Sequence, residues 1–171
     1  MMDEGLRLLM TRRSVRKYTD EPVSDEDLEA ILRAAMAAPS AGNEQPWHFV
    51  VVRDDQVMDA IMDVHPYAGM LTEAPVCIAV LADMSLEKYE GMWLQDCSAA
   101  TQNILLAAHA LGLGAVWLGV HPVQSRQEGI KRILGLPEGV ECLSLVALGH
   151  PAEQPGPADR YDESRVHAEK W

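Results

Sequence analysis

"QDCSAATQNILLAAHALGLGAVWLG", residues 95–119, is the stretch from which the fold is read most directly. From Gln95 to Leu111 it is helix-forming, and apolar or small side chains occur nearly all round the helix instead of along one stripe. A helix of that composition is covered on most sides, so it lies at the centre of a fold or between subunits. Ala99, Ala100, Ala107 and Ala108 allow a neighbour to approach closely. Gly112 is suited to end the helix, and "GAVWLGV" reads as a strand behind it. Upstream the helical pattern reaches back to Leu86, which predicts one long central helix over 86–111.

Working outward, "DEGLRLLMTRR" has acids at its start and arginines at its end, the order a helix dipole favours. "SDEDLEAILRAAMAA" opens with Ser24 and Asp27 in capping-box spacing and sets Leu28, Ile31, Leu32 and Ala35 on one face. Pro39 stops it. "WHFVVVRD" and "PVCIAVLAD" read as buried strands, "QVMDAIMDV" and "VQSRQEGIKRIL" as helices, and "ECLSLVALGHP" as a fourth strand. Beyond Pro151 the chain is rich in Pro, Gly and charge, the composition of a disordered tail. Yet Tyr161, Val166, His167 and Trp171 remain there, as they would in a structured arm lying on this subunit or on a partner.

The totals narrow the function. A chain of 171 residues fits one domain with a sizeable core. Its formal net charge of -12 repels nucleic-acid phosphates, so no nucleic-acid partner is expected. No apolar run reaches the roughly 20 residues that span a bilayer. No signal-peptide pattern is read in "MMDEGLRLLM", which makes the cytoplasm the expected location and a membrane partner unexpected. Cys77, Cys97 and Cys142 stand far apart without a CxxC or Cys/His cluster, so buried thiols are expected and no metal site.

Against that acidic background, Arg12, Arg13, Arg16 and Lys17 crowd around Ser14. Guanidinium groups and a hydroxyl at a helix end suit a terminal phosphate. The same arginines would also complement a helix C-terminus and pair with nearby acids. "APSAGNEQPWHFVVV" (38–52) carries Ser40, Ala41, Gly42, Asn43 and Gln45 in a helix-to-strand loop. It offers amides and side-chain donors to a polar heteroaromatic ligand, or serves as an ordinary turn. Gly112 and Gly114 lack the full dinucleotide-binding glycine spacing and precede a strand instead of following one, which rejects that site. Gly119, at the far end of the strand, would let a ligand approach a backbone amide. No serine-nucleophile elbow, zinc motif or P-loop is present. The six scattered histidines fit surface or satisfied structural roles, and Trp47, Trp93 and Trp117 fit core packing better than ligand contact.

Taken in order, "RRSVRKYTDEPV", "AAPSAGNEQPWHFVVV", "EAPVCIAVLAD", "QDCSAATQNILLAAHALGLGAVWLG" and "RYDESRVHAEKW" resemble the compact branch of the nitroreductase family of FMN-dependent oxidoreductases. The resemblance implies an α+β fold: a mainly antiparallel sheet flanked by helices, with a long central helix. It further implies an intertwined homodimer, with residues 1–150 as the body of a single domain 1–171. By the same resemblance, residues 151–171 would form an arm exchanged onto the partner. By matching position, Arg12, Arg13, Ser14 and Arg16 would hold the FMN phosphate and the pyrimidine side of the ring, with Arg160 as a second phosphate arginine. Pro39, Ser40, Ala41 and Asn43 match a loop that reaches the flavin of the other subunit. Leu118 and Gly119 match the strand end beside the ring, and Gln95 or Asp96 lies near a polar position of the central helix. No side chain is needed as catalytic acid or nucleophile, because the flavin carries the chemistry. The implied reaction is ping-pong transfer from NADH or NADPH to a small electron-poor acceptor such as a nitroaromatic or quinone. Alternatives are a flavin carrier or sensor without turnover, or a specialised dehalogenase or activated-alkene reductase. Segments 64–73 and 84–93 are expected over the flavin.

Overall fold

The computed structural model describes residues 3–171. Helices α1 (Glu4–Thr11) and α2 (Asp25–Met36) precede strand β1 (Trp47–Val52). Then come α3 (Asp55–Val64), β2 (Val76–Asp83), α4 (Trp93–Ala110), β3 (Gly114–Gly119), α5 (Gln124–Leu134) and β4 (Val140–Gly149). The strands form one antiparallel sheet in the order β1-β2-β4-β3.

Period-two alternation divides the sheet residues between two cores. Val76, Ile78, Val80, Val146 and Leu148 meet Ile31, Ala35, Ala100 and Ile104 of α2 and α4. Cys77, Ala79, Leu81, Leu145 and Ala147 face Met58, Ile61 and Ile130 of α3 and α5. Burying each large aliphatic contributes about 1.5–3 kcal/mol, and with both faces packed a one-residue slip would send every side chain into the wrong core. A bulge opposite Val80 and Leu81 places the extra residue at Leu143, whose carbonyl accepts from Val120 and His121 N–H. That bulge ties the end of β3 to the centre of the sheet.

Ser24 caps α2 as its spacing with Asp27 predicts: its Oγ accepts Asp27 N–H at 3.0 Å. Gly112 adopts φ +76° and ends α4, while Leu113 N–H reaches back to the Ala108 carbonyl at 2.8 Å.

Two expectations change. The central helix starts at Trp93 instead of Leu86. Upstream, Lys88 N–H and Tyr89 N–H go to Glu44 Oε2 at 2.7 and 3.3 Å, and Gly91 takes φ +80°, so the segment cannot continue a helix. Strand β1 is an edge strand, only half-buried along its middle with His48 exposed, although its β-branched run predicts full burial. A run of valines shows β-propensity but not whether a second strand lies alongside.

Candidate functional site

The basic segment owes its position to β3. After Arg12 the chain becomes extended. Ser14 makes a parallel bridge to Ala115, and Val15 N–H donates to the Ala115 carbonyl at 3.0 Å. Val15 and Tyr18 turn inward and are buried, leaving Ser14 and Arg16 toward the outside. Gly114 makes room for this: a Cβ there would stand 2.6 Å from Val15 Cγ1. Tyr18 Oη donates to the Val15 carbonyl at 2.6 Å, and Glu153 Oε1 accepts Arg16 N–H at 2.6 Å. The start of the C-terminal arm therefore fixes the backbone that presents Arg16.

The four arginines of the expected set divide their work. Arg13 sends Nε to the Gly156 carbonyl at 3.0 Å, Nη1 to the Met10 and Arg12 carbonyls, and Nη2 to the Ala158 carbonyl at 3.2 Å. It clamps the arm to the end of α1, and those donors are not free for an anion. Arg13 nonetheless borders the same cavity as Arg12 and Arg160.

Arg12, Arg13 and Arg160 line one cavity of about 260 Å³ with Leu9, Asp159 and Tyr161. Burial, then the positive charges of Arg160 and Arg13, hold Arg12 below the ordinary guanidinium value. Among the described residues, no carboxylate is within ion-pair distance of Arg12, Arg16 or Arg160. Clustered guanidinium groups without a direct ion-pair partner among the described residues, in a chain of net charge -12, form a local field suited to an anion, although Asp159 borders the same cavity.

Arg16 lines a second cleft, of about 440 Å³, with His65, Tyr67, Trp117, Gly119 and Arg126, and Leu118 also borders it. A Cβ built on Gly119 would meet nothing within 4 Å, so the strand end faces open space. The Gly119 carbonyl is held from behind by Arg126 Nη1 and His65 Nε2, each at 2.9 Å. Tyr67 N–H approaches His65 Nδ1 at 3.3 Å, which makes Nδ1 the acceptor and Nε2 the protonated nitrogen. Burial keeps this imidazole neutral by lowering its pKa. His65 is thus a satisfied structural histidine, as its sequence context suggests, but it steadies the site. His65 and Arg126 were not legible as a pair, because only the fold brings both to one carbonyl. Segment 64–73 contributes to this cleft through His65, Tyr67 and Met70.

The 39–45 loop lies elsewhere. Residues Ala41–Asn43 form a single 3-10 turn, with Gly42, Asn43 and Gln45 at φ +51°, +55° and +49°. Such backbone is costly for a non-glycine residue and is retained where the surroundings fix it. Here Ala41 N–H donates to Asp96 Oδ1 at 2.9 Å and Gln45 N–H to Ser40 Oγ at 3.1 Å. Tyr89 packs so closely on Gly42 that a Cβ there would fall 2.4 Å from its ring. Segment 84–93 therefore covers this loop and not the Gly119 cleft. Of the two polar neighbours on α4, Asp96 is buried and holds the loop, whereas Gln95 is exposed. Pro39, Ser40, Ala41 and Asn43 line neither the Arg12 cavity nor the Gly119 cleft.

The three cysteines are buried, and burial pushes the Cys77 and Cys97 thiols up to about 12. At neutral pH these are not thiolate nucleophiles. No helix among the described residues is long and apolar enough to cross a membrane.

Comparison with known proteins places this geometry. A Methanothermobacter thermautotrophicus (strain Delta H) protein, provisionally named NADH dehydrogenase/NAD(P)H nitroreductase, is 55% identical over 97% of this chain and 87% of its own length. A solved Parabacteroides distasonis structure with the same provisional name superposes at TM-score 0.96 with 38% identity, covering 99% of this chain and 100% of that one. A nitroreductase-type structure from Desulfovibrio desulfuricans, in complex with FMN, superposes at 0.87 with 36% identity, covering 100% and 99%. The family model described as Nitroreductase family matches residues 9–65 and 62–150, and the chain belongs to that family.

Proposed function

We propose that the protein binds FMN and works as an NAD(P)H-dependent oxidoreductase on small, electron-poor acceptors. The observation that carries this reading is a set of guanidinium groups without a direct ion-pair partner among the described residues: Arg12 with Arg160 of the arm at one cavity, and Arg16 at the cleft beside the open backbone of Gly119. Arg12 and Arg160 take the phosphate through charge-assisted hydrogen bonds, and Ser14 adds a hydroxyl. Arg13 supports them by holding the arm that carries Arg160. Arg16 stands at the other end of the segment, where its charge favours electron density on the pyrimidine side of the ring. The Gly119 amide faces the ring, and Leu118 packs beside it.

When bound, FMN supplies the redox chemistry, taking a hydride from NADH or NADPH and delivering it to the acceptor. The chain contributes binding, orientation and electrostatics. His65 and Arg126 hold the Gly119 carbonyl and so fix the peptide that follows the ring-facing amide. The nicotinamide and the acceptor use the same open face in turn, so neither needs a dinucleotide fold of its own. The relatives' names, which pair NADH or NAD(P)H with nitroreductase activity, support this assignment.

The working unit is a homodimer, with residues 1–150 as the body and 151–171 as an arm on the partner. Several features support it. Tyr161, Val166 and Trp171 of the arm are exposed, as are Leu6, Leu9 and Met10 of α1. The edge of β1 has no strand beside it. In such a dimer Pro39, Ser40, Ala41 and Asn43 approach the partner's flavin, which accounts for a rigid loop that lines neither the Arg12 cavity nor the Gly119 cleft of its own subunit.

Anaerobic mixing of the FMN-loaded protein with NADH, and separately with NADPH, tests the reading. Bleaching of the oxidised flavin band by at least one of them is expected, with parallel double-reciprocal plots in steady state. No bleaching with either would reduce the protein to a flavin carrier, and intersecting plots would rule out the ping-pong order.

A further inference from the structure

Two side-chain oxygens in the described residues are buried and lack a hydrogen-bond partner: Glu44 Oε1 and Asp96 Oδ2. The two carboxyl groups lie within hydrogen-bonding reach of each other. Asp96, on the first turn of α4, is 3% exposed, and Glu44, at the end of the 39–45 loop, is 6% exposed. The other oxygen of each group is occupied. Asp96 Oδ1 accepts Ala41 N–H at 2.9 Å, and Glu44 Oε2 accepts Lys88 and Tyr89 N–H at 2.7 and 3.3 Å. These bonds hold the loop, α4 and segment 84–92 together at one point.

Two ionised carboxylates cannot occupy such a site without a bridge, since buried like charges repel and both have lost their water. We propose that Glu44 and Asp96 share one proton between their inner oxygens and act as a positioning pair that locks the 39–45 loop in its strained conformation. The proton turns two orphan acceptors into one donor and one acceptor. Because Pro39, Ser40, Ala41 and Asn43 are the residues assigned above to the partner's flavin, the link to cofactor binding rests on that reading. The shared proton itself does not.

The charged surroundings agree. Burial raises the Asp96 pKa first, the Ala41 N–H opposes it, and the Glu44 hydrogen bond and the negative charges of Glu44 and Glu87 raise it further. Cys97, next on the helix, is itself raised by burial and by the Asp96 charge, so it stays a neutral thiol. Lys88 offers its backbone N–H to the pair, while its side chain is exposed. Since Asp96 is raised in the folded state, the stabilisation is fully present below the ordinary carboxylate range of about 4 and is lost as pH climbs through the folded value.

Glu44→Gln and Asp96→Asn each replace the shared proton with an amide N–H while keeping shape and hydrogen bonds. Infrared spectra of the full-length protein as purified, near neutral pH, should contain one protonated-carboxyl band per chain that disappears in both variants. The melting temperature of the natural protein should drop relative to Glu44→Gln as pH is raised, with the gap closing on acidification. Absence of the band in the natural protein, or parallel melting profiles, would overturn the shared proton. FMN titration across the same pH range is the separate arm. Affinity should weaken with pH more steeply in the natural protein than in Glu44→Gln, and identical slopes would overturn the link to the loop. A natural protein that binds no FMN at all would instead refute the functional reading and leave the infrared and melting results to judge the pair.

Discussion

Gly114 and Gly119 sit at opposite ends of the same strand, and a single methyl group added at each should have opposite consequences. At Gly114 the new Cβ would lie 2.6 Å from Val15 Cγ1 and 2.8 Å from Val15 Cβ. Val15 Cβ cannot yield without its backbone, which is hydrogen-bonded to the Ala115 carbonyl. Overpacking of this kind costs about 1–3 kcal/mol. At about 2–4 °C per kcal/mol for a domain of this size, Gly114→Ala should lower the melting temperature by roughly 2–12 °C. It should also weaken FMN binding, because Ser14 and Arg16 flank the displaced residue. At Gly119 a Cβ meets nothing within 4 Å and the backbone is not left-handed. Gly119→Ala should therefore leave the flavin-free stability within about 0.5 kcal/mol, yet put a methyl group where the ring approaches the amide. Thermal melts at one fixed protein concentration, without FMN and with saturating FMN, together with a fluorescence titration, separate the two effects. A Gly114→Ala protein that melts like the parent would refute the Val15 contact. A Gly119→Ala protein that binds FMN as tightly as the parent would refute the placement of the ring.

Ser24→Ala removes the acceptor for Asp27 N–H at the start of α2 and should cost about 1 kcal/mol in denaturant unfolding, with Ser24→Asp restoring most of it. Deleting residues 155–171 takes away Arg160 and the carbonyls that Arg13 holds, so the dimer should dissociate more readily and lose FMN. A truncated protein that sediments as a tight yellow dimer would contradict the arm assignment.

Much of the fold was open to reading because its signals are local. Ser24 and Asp27 announce α2, Gly112 ends α4, and the apolar runs of β2 and β4 mark them as buried strands. What escaped reading depends on partners distant in the chain. The segment from Leu86 to Met92 has helical composition, but Glu44 captures two of its amides across more than forty residues of sequence. The β1 valines do not reveal that they form an edge. Within the basic segment, composition makes Arg12 and Arg13 equivalent. Only the return of the arm to the end of α1 gives Arg13 four backbone carbonyls to hold, while Arg12 has no such set beside the cavity they share. His65 and Arg126 meet at Gly119 from two different elements, a convergence no spacing rule contains.

The placement proposed above has Arg12 and Arg160 taking the phosphate of a flavin whose ring lies at Gly119. It is tested most directly by titrating the flavin-free protein with FMN and with riboflavin, which differ in that phosphate alone, and repeating both titrations on Arg12→Ala. FMN should bind far more tightly than riboflavin. Arg12→Ala should cost FMN about 1.5–3 kcal/mol, roughly 10- to 150-fold, while leaving riboflavin affinity nearly unchanged. Equal affinity for the two flavins, or an Arg12→Ala variant that weakens both alike, would contradict the claim.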